Sequence, residues 1–171
     1  MYWLQDCMKD TNGYKQNLMT VSNPDYGKGE EEGGWENKDW WISNKFKTEV
    51  SEHFDVNHLL TYYLITEYWG SVDQRSKNIL WRTWDGIKWY STFYDGDTAM
   101  GGRNDSFLVY SYDITRDTRD ESLNKYAYEG HNSILWCLVL ANLSEELQSA
   151  CDNLRRHLTT ENMLEMFNKE Q

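Results

Sequence analysis

The segment over residues 55–97 constrains the fold of this chain more than any other stretch. It contains, in order, a periodic apolar pattern, a short polar loop, an aromatic-rich stretch and two aspartates. Asp55 is a suitable N-cap and Gly70 suits the first position after a helix. Apolar residues at three- and four-residue spacing predict an amphipathic helix between them, and these are Val56, Leu59, Leu60, Tyr63, Leu64 and Tyr68.

The aromatic-rich stretch predicts a β-hairpin, because Ile, Trp, Tyr and Thr are common in strands. We expect its strands over residues 79–84 and 87–93, with Asp85-Gly86 forming a two-residue type I′ turn. Every other periodic segment has a helical pattern. The sequence therefore predicts a predominantly helical α+β fold with one central β-hairpin.

The remaining helices are expected over residues 1–20, 40–54 and 132–158, the last as one helix or a pair, and after Thr159-Thr160. Residues 21–39 contain the only proline, several glycines and three consecutive glutamates, which predicts a surface loop. We interpret residues 1–39 as an N-terminal helix with an acidic Gly-rich loop. Residues 40–171 then form the main domain.

Composition and charge argue against two classes of partner. The formal net charge is −11, from 28 acidic and 17 basic residues, and such a surface repels phosphate backbones. We therefore expect no nucleic-acid partner. No run of 18 apolar residues and no signal-peptide pattern is present, so we expect no membrane span and a location in the cytoplasm or within a particle or coat assembly. The three cysteines lack zinc-site spacing and are expected to be reduced.

Polar side chains with oxygen atoms flank the predicted hairpin. Asp73 and Asn78 stand five positions apart before it, and Asp95 and Asp97 follow it. Carboxylate and amide oxygens are ligands that Mg²⁺ prefers, and protein kinases place a catalytic aspartate, a metal-binding asparagine and a metal-binding aspartate in this order. Arg75 stands where a basic residue often reaches the γ-phosphate of ATP. The alternative is that these are ordinary turn residues that cap backbone groups.

With these residues in place, the segment over residues 55–101 resembles the core of the CotH spore-coat kinase-like family, and a weaker likeness covers about residues 40–168. The resemblance implies the fold of a protein-kinase-like C-lobe. The matching positions are Asp55 and Tyr62/Tyr63 in the helix, Asp73, Lys77 and Asn78 in the loop, DGIKW at 85–89, and YDGD at 94–97.

The resemblance also implies an activity, namely ATP- and Mg²⁺-dependent transfer of a phosphoryl group to protein hydroxyls. Asp73 would be the catalytic aspartate, assisted by Arg75, and Lys77 would bind the nucleotide. The metal ligands implied by the resemblance are Asn78 and one or both of Asp95 and Asp97.

Two departures from the family leave a second hypothesis open. Residues 1–54 show no Gly-rich strand-turn-strand and no strand lysine of the kinase nucleotide lobe, and Tyr94 and Gly96 replace two aromatic residues of the family's metal motif. We therefore expect a C-lobe that needs protein partners or the remainder of a longer polypeptide. The alternative is a non-catalytic structural module of a phage particle, spore coat or surface complex.

Overall fold

A computed structural model describes residues 2–15, 38–69, 71–75, 78–96 and 132–169. Within these ranges the protein is mainly helical with one two-stranded antiparallel hairpin, which confirms the predicted fold class at this level. No helix in these ranges is both long and apolar enough to cross a membrane. The helices are α1 (Tyr2–Lys9), α2 (Asn12–Lys15), α3 (Asn44–His53), α4 (Val56–Tyr68), α5 (Asn132–Asn142), α6 (Ser144–His157) and α7 (Thr160–Lys169), with 3₁₀ helices at Lys38–Trp41 and Val72–Arg75.

The N-terminal segment forms two short helices, so the single helix predicted over residues 1–20 was wrong where the structure describes it. Thr11 interrupts the helix because its Oγ1 accepts a hydrogen bond from the Tyr14 backbone N–H at 3.1 Å and so caps α2. Residues 16–37, which include most of the expected surface loop, lie outside the described ranges.

The start of α3 is capped from two places in the chain. Ser43 Oγ accepts from the Phe46 backbone N–H at 3.1 Å, and the Asp10 carboxylate accepts from the Lys45 backbone N–H at 2.9 Å. The hydrogen bond from Lys45 is the main reason that the pKa of Asp10 lies below its ordinary value. Asp10 thus joins the α1–α2 junction to α3.

Helix α4 follows its prediction closely. Asp55 is the N-cap, and its carboxylate accepts from the His58 backbone N–H at 2.9 Å. The buried face contains Leu59, Leu60, Tyr62, Tyr63 and Thr66. The expected C-terminal Gly70 lies outside the described ranges, and α4 is followed by the 3₁₀ helix at Val72–Arg75.

The hairpin is present, but its predicted two-residue turn was wrong. Strands β1 (Ile79–Arg82) and β2 (Tyr90–Phe93) pair antiparallel, and residues 83–89 connect them. Asp85 does not adopt the positive φ that a type I′ turn requires; its carboxylate instead accepts from the Ile87 and Lys88 backbone N–H groups at 2.8 and 2.9 Å. Trp89 is drawn away from β1 because its N–H donates to the His53 carbonyl at 2.8 Å.

Helix α5 is the centre of the core, with residues 134–139 all buried, and Leu143 separates it from α6, so residues 132–158 form a helix pair. The Asn142 side chain accepts from the Ser43 backbone N–H at 2.8 Å and donates to the Trp41 carbonyl at 2.9 Å. Cys7 of α1 lies in the same buried cluster, and burial raises its pKa to about 12, so the thiol is protonated. The division of the chain at residue 39 stays a prediction.

Candidate functional site

The candidate site lies where the 3₁₀ helix at Val72–Arg75 meets the end of β2. Gln74 joins the two segments, and its side chain is buried, with 1% of the residue exposed. Its Nε2 donates to the Tyr94 carbonyl at 2.8 Å, and its Oε1 accepts from the Tyr94 backbone N–H at 3.2 Å. The Gln74 side-chain amide therefore pairs with the Tyr94 backbone as a neighbouring strand would.

Two further contacts complete this junction. Gln74 Nε2 also donates to the Asp95 carbonyl, and the Tyr62 hydroxyl donates to the Gln74 carbonyl at 2.8 Å. Burial raises the pKa of Tyr62, although the positive charge of Arg75 opposes this, so the hydroxyl stays protonated and remains a donor. We call Gln74, Tyr62 and Tyr94 the Gln74 clamp. No pattern in the sequence marks Gln74 as part of a site.

The Gln74 clamp lies beside two of the predicted metal ligands. Asn78 Nδ2 donates to the Asp95 carbonyl at 3.4 Å, so these residues come together although they are 17 positions apart. Asp95 has a φ of 58°, a left-handed conformation that costs about 1 kcal/mol for a residue with a side chain. Backbone strain of this kind is common at ligand-binding sites. The Asn78 amide oxygen and the exposed Asp95 carboxylate are of the chemical types that bind Mg²⁺.

Arg75 has a different environment from the one expected of a phosphate-contacting residue. It is 5% exposed, its guanidinium forms an ion pair with Glu67 of α4, and it lies 4.8 Å from the centre of the Tyr63 ring. The Trp136 indole N–H donates to the Arg75 carbonyl at 2.8 Å. These contacts attach the 3₁₀ helix to α4 and α5. Contact between Arg75 and a phosphate stays a prediction, and it would require the guanidinium to leave Glu67.

The other predicted site residues are not placed by the structure. Lys77, Asp97 and the side chain of Asp73 lie outside the described residues. Among the described residues, no group of three or more His, Cys, Asp or Glu side chains could hold a metal ion. A magnesium site at this junction would therefore combine Asn78 and Asp95 with oxygen ligands from elsewhere, as Mg²⁺ sites in phosphoryl-transfer proteins do with phosphate and water.

A serine and a histidine also meet between α4 and β2. His58 Nε2 lies 2.8 Å from the Ser91 carbonyl oxygen and 3.2 Å from Ser91 Oγ. Because a carbonyl oxygen only accepts, we assign the ring proton to Nε2, and that nitrogen then has no lone pair to take a proton from the hydroxyl. Ser91 is also 2% exposed. This contact holds α4 against β2 and is not a nucleophile–base pair.

Comparisons of the chain with protein-family models, with curated proteins and with solved structures found no match. The class that the structure defines is a mainly helical α+β domain with one antiparallel hairpin. The resemblance to the CotH kinase-like family stays a prediction, as do the catalytic and metal-binding roles that it implies.

Proposed function

We propose that this chain is a CotH-like kinase-type module that acts in ATP- and Mg²⁺-dependent phosphoryl transfer to protein hydroxyls. The observation that supports it is the contact between Asn78 and Asp95. The order of residues in the sequence predicts these two as metal ligands, and the hairpin brings them to one place. A bound magnesium ion would neutralise charge on the transferred phosphoryl group.

In this proposal the residues of the chain hold and orient the reactants. Asn78 and Asp95, with Asp97, would bind the metal, while Asp73 would orient the acceptor hydroxyl. The Gln74 clamp would fix the position of Asp95 relative to Asn78, because Gln74 Nε2 donates to the carbonyls of both Tyr94 and Asp95. Lys77 would contact the nucleotide. The rest of the nucleotide site would come from a longer polypeptide or a protein partner.

The experiment is transfer of label from γ-labelled ATP to a mixed protein acceptor with Mg²⁺ present, measured on the chain within the longer polypeptide or partner complex that completes the nucleotide site. We expect Asp73→Ala and Asn78→Ala each to lower incorporation by at least about 100-fold, the order of effect seen when a catalytic group is removed. Asn57→Ala is the matched control, because Asn57 is an exposed asparagine of α4 away from the junction. Equal incorporation by all four proteins would show that the label does not pass through this site.

A second candidate, a non-catalytic structural module, is favoured by one specific observation. Arg75 is buried in its ion pair with Glu67 and packs on Tyr63, which gives the polar turn a role in holding elements together. In this candidate the side chains of the turn stabilise the fold and contact no nucleotide. No label transfer by the wild-type chain, combined with its recovery in stoichiometric amount from a larger particle, would support this candidate over the first.

A further inference from the structure

Two Asp-Gly dipeptides lie on either side of strand β2, Asp85-Gly86 before it and Asp95-Gly96 after it. An Asp-Gly peptide can cyclise, because the glycine backbone nitrogen can attack the aspartate side-chain carbon Cγ and form a five-membered succinimide ring. The reaction requires loss of the glycine N–H proton and an accessible carboxyl group. Glycine favours it because it has no Cβ to shield the nitrogen. The surroundings of each dipeptide therefore decide which of the two reacts.

At Asp85-Gly86 both reacting groups are already engaged. The Asp85 carboxylate accepts from the Ile87 and Lys88 backbone N–H groups at 2.8 and 2.9 Å, and these bonds hold the pKa of Asp85 below its ordinary value. The carboxylate therefore stays ionised, which makes it a poor electrophile. The Gly86 N–H donates to Thr83 Oγ1 at 2.9 Å, so the nitrogen keeps its proton in a hydrogen bond.

At Asp95-Gly96 the reacting groups are open to solvent. Both residues are exposed, and no partner among the described residues accepts from the Gly96 N–H or donates to the Asp95 carboxylate. No atom lies within 4 Å of the position that a Cβ on Gly96 would occupy. A base from solvent can therefore reach the Gly96 nitrogen.

The carbonyl group between these two residues receives hydrogen bonds from two side-chain amides. Gln74 Nε2 and Asn78 Nδ2 both donate to the Asp95 carbonyl oxygen, the second at 3.4 Å. When the Gly96 nitrogen loses its proton, resonance within the peptide group shares the negative charge with this oxygen. Donors aimed at an oxygen that gains charge favour the charged form, as in an oxyanion hole. Gln74 and Asn78 therefore stabilise the deprotonated nitrogen that attacks.

We propose that Asp95-Gly96 is a site of spontaneous isomerisation to isoaspartate, promoted by Gln74 and Asn78. A base removes the Gly96 proton, and the nitrogen attacks Asp95 Cγ. The N–Cγ bond forms while the bond from Cγ to the carboxyl hydroxyl breaks, and the hydroxyl leaves as water with the proton that the base returns. One water then opens the succinimide, at Cγ to restore aspartate or at the backbone carbonyl carbon to give isoaspartate.

The backbone conformation of Asp95 favours the isomerised product. Its φ of 58° is left-handed, a conformation that brings Cβ close to the following carbonyl oxygen. In isoaspartate the main chain itself passes through Cβ and Cγ, so this close contact is removed. The reaction uses neither ATP nor a metal ion, and the proposal is therefore independent of the proposed function.

The first test compares the two dipeptides within one sample of the folded wild-type chain. The chain is kept in neutral buffer made with oxygen-labelled water, so each opening of a succinimide leaves one labelled oxygen, whichever product forms. Cleavage after Arg82, Lys88 and Arg103 in ordinary water places the dipeptides in separate peptides. Mass spectrometry with electron-transfer fragmentation then locates the label and the isoaspartate.

Label should enter Asp95-Gly96 at least about tenfold faster than Asp85-Gly86. The difference should disappear in concentrated urea, because the hydrogen bonds that distinguish the two dipeptides are then lost. Equal rates in the folded chain would overturn the proposal, as would a difference that persists in urea.

The second test removes the two donors one at a time. Gln74→Leu should slow label uptake at Asp95-Gly96 by about tenfold, the order expected when a donor to a charged oxygen is lost. Asn78→Ala should slow it by about threefold, because its bond is longer. If these side chains only restrained the peptide, their loss would speed the reaction. Faster or unchanged uptake in Asn78→Ala would therefore overturn the proposal, even if Gln74→Leu failed to fold.

Two controls show that the effects are local. Asn57→Ala, an exposed asparagine of α4, should leave uptake at both dipeptides unchanged. Thr83→Val removes the acceptor of the Gly86 N–H and should speed uptake at Asp85-Gly86 alone. Circular dichroism checks that each variant remains folded.

Discussion

Replacement of Gln74 by leucine tests whether the Gln74 clamp holds the site together. Leucine has a similar volume and suits a buried position, so the change removes hydrogen bonds while it keeps most of the packing. The two well-formed bonds lost are those that join the Gln74 amide to the Tyr94 carbonyl, at 2.8 Å, and to the Tyr94 N–H, at 3.2 Å. The Tyr62 hydroxyl keeps its bond to the backbone carbonyl of residue 74.

The expected loss of stability follows from these bonds. A typical hydrogen bond contributes about 1 kcal/mol net, so two lost bonds lower the free energy of unfolding by about 2 kcal/mol. Tyr94 is exposed, so water can hydrogen-bond to part of its backbone once the Gln74 amide is removed. The decrease in the free energy of unfolding therefore stays close to the value for two lost bonds. In a chain of this size a loss of about 2 kcal/mol lowers the melting temperature by about 4–8 °C.

The measurement is urea unfolding followed by circular dichroism, with hydrogen exchange of the Tyr94 amide as a local probe. Exchange at Tyr94 should become faster in Gln74→Leu. Gln148→Leu is the matched control, because Gln148 forms an exposed bond to Asp152 at 3.0 Å and its replacement should change stability by less than about 0.5 kcal/mol. Equal stability of the two variants, with unchanged exchange at Tyr94, would refute the role assigned to Gln74.

Three further predictions concern other parts of the fold. Glu67→Leu removes the carboxylate from the buried Arg75 guanidinium and should lower the free energy of unfolding, measured in urea, by about 3 kcal/mol. Addition of Arg75→Met should recover most of the lost stability. A double variant no more stable than Glu67→Leu alone would contradict this role of the ion pair. Asp10→Asn keeps a hydrogen-bond acceptor but cannot ionise. Because the pKa of Asp10 is lowered in the fold, its contribution to stability is complete above its ordinary value of 3.8 and is lost as the pH falls through the lowered value. The free energy of unfolding should therefore depend less on pH in Asp10→Asn than in the wild type between pH 7 and pH 2.5. Identical pH profiles of the two proteins would contradict the contribution assigned to Asp10. Gly86→Ala should cost about 1 kcal/mol because Gly86 has a φ of 75°, whereas Gly96→Ala, at a position with open space, should be nearly neutral in the same thermal melts.

Features that depend on neighbouring residues could be predicted from the sequence. The Asp55 cap and the presence of helix α4 were confirmed, because both follow from interactions within one helix, whereas Tyr68 of the predicted apolar set is 54% exposed. The meeting of Asn78 and Asp95 also follows from sequence, since one residue precedes β1 and the other follows β2 closely. A hairpin places the outer ends of its two strands side by side.

Features that depend on distant residues could not be predicted in this way. Gln74 is an ordinary polar loop residue in the sequence, and its role exists only because Tyr94 lies beside it in space. The turn on Asp85 was misassigned for the same reason, since the pairing of Trp89 with His53 ends the strand early. No local signal marks Asp10 as a cap of α3, because the hydrogen bond spans 35 positions.

The most direct test of the proposed site is binding of Mn²⁺, used in place of Mg²⁺ and followed by electron paramagnetic resonance. We predict one saturable site per chain, unchanged by Asn57→Ala. Asn78→Ala should weaken binding at least about tenfold, since loss of a group that holds or orients a metal lowers affinity by about 10–100-fold. Absence of saturable binding, or equal affinity in Asn78→Ala and the wild type, would contradict the claim that Asn78 and Asp95 form a metal site.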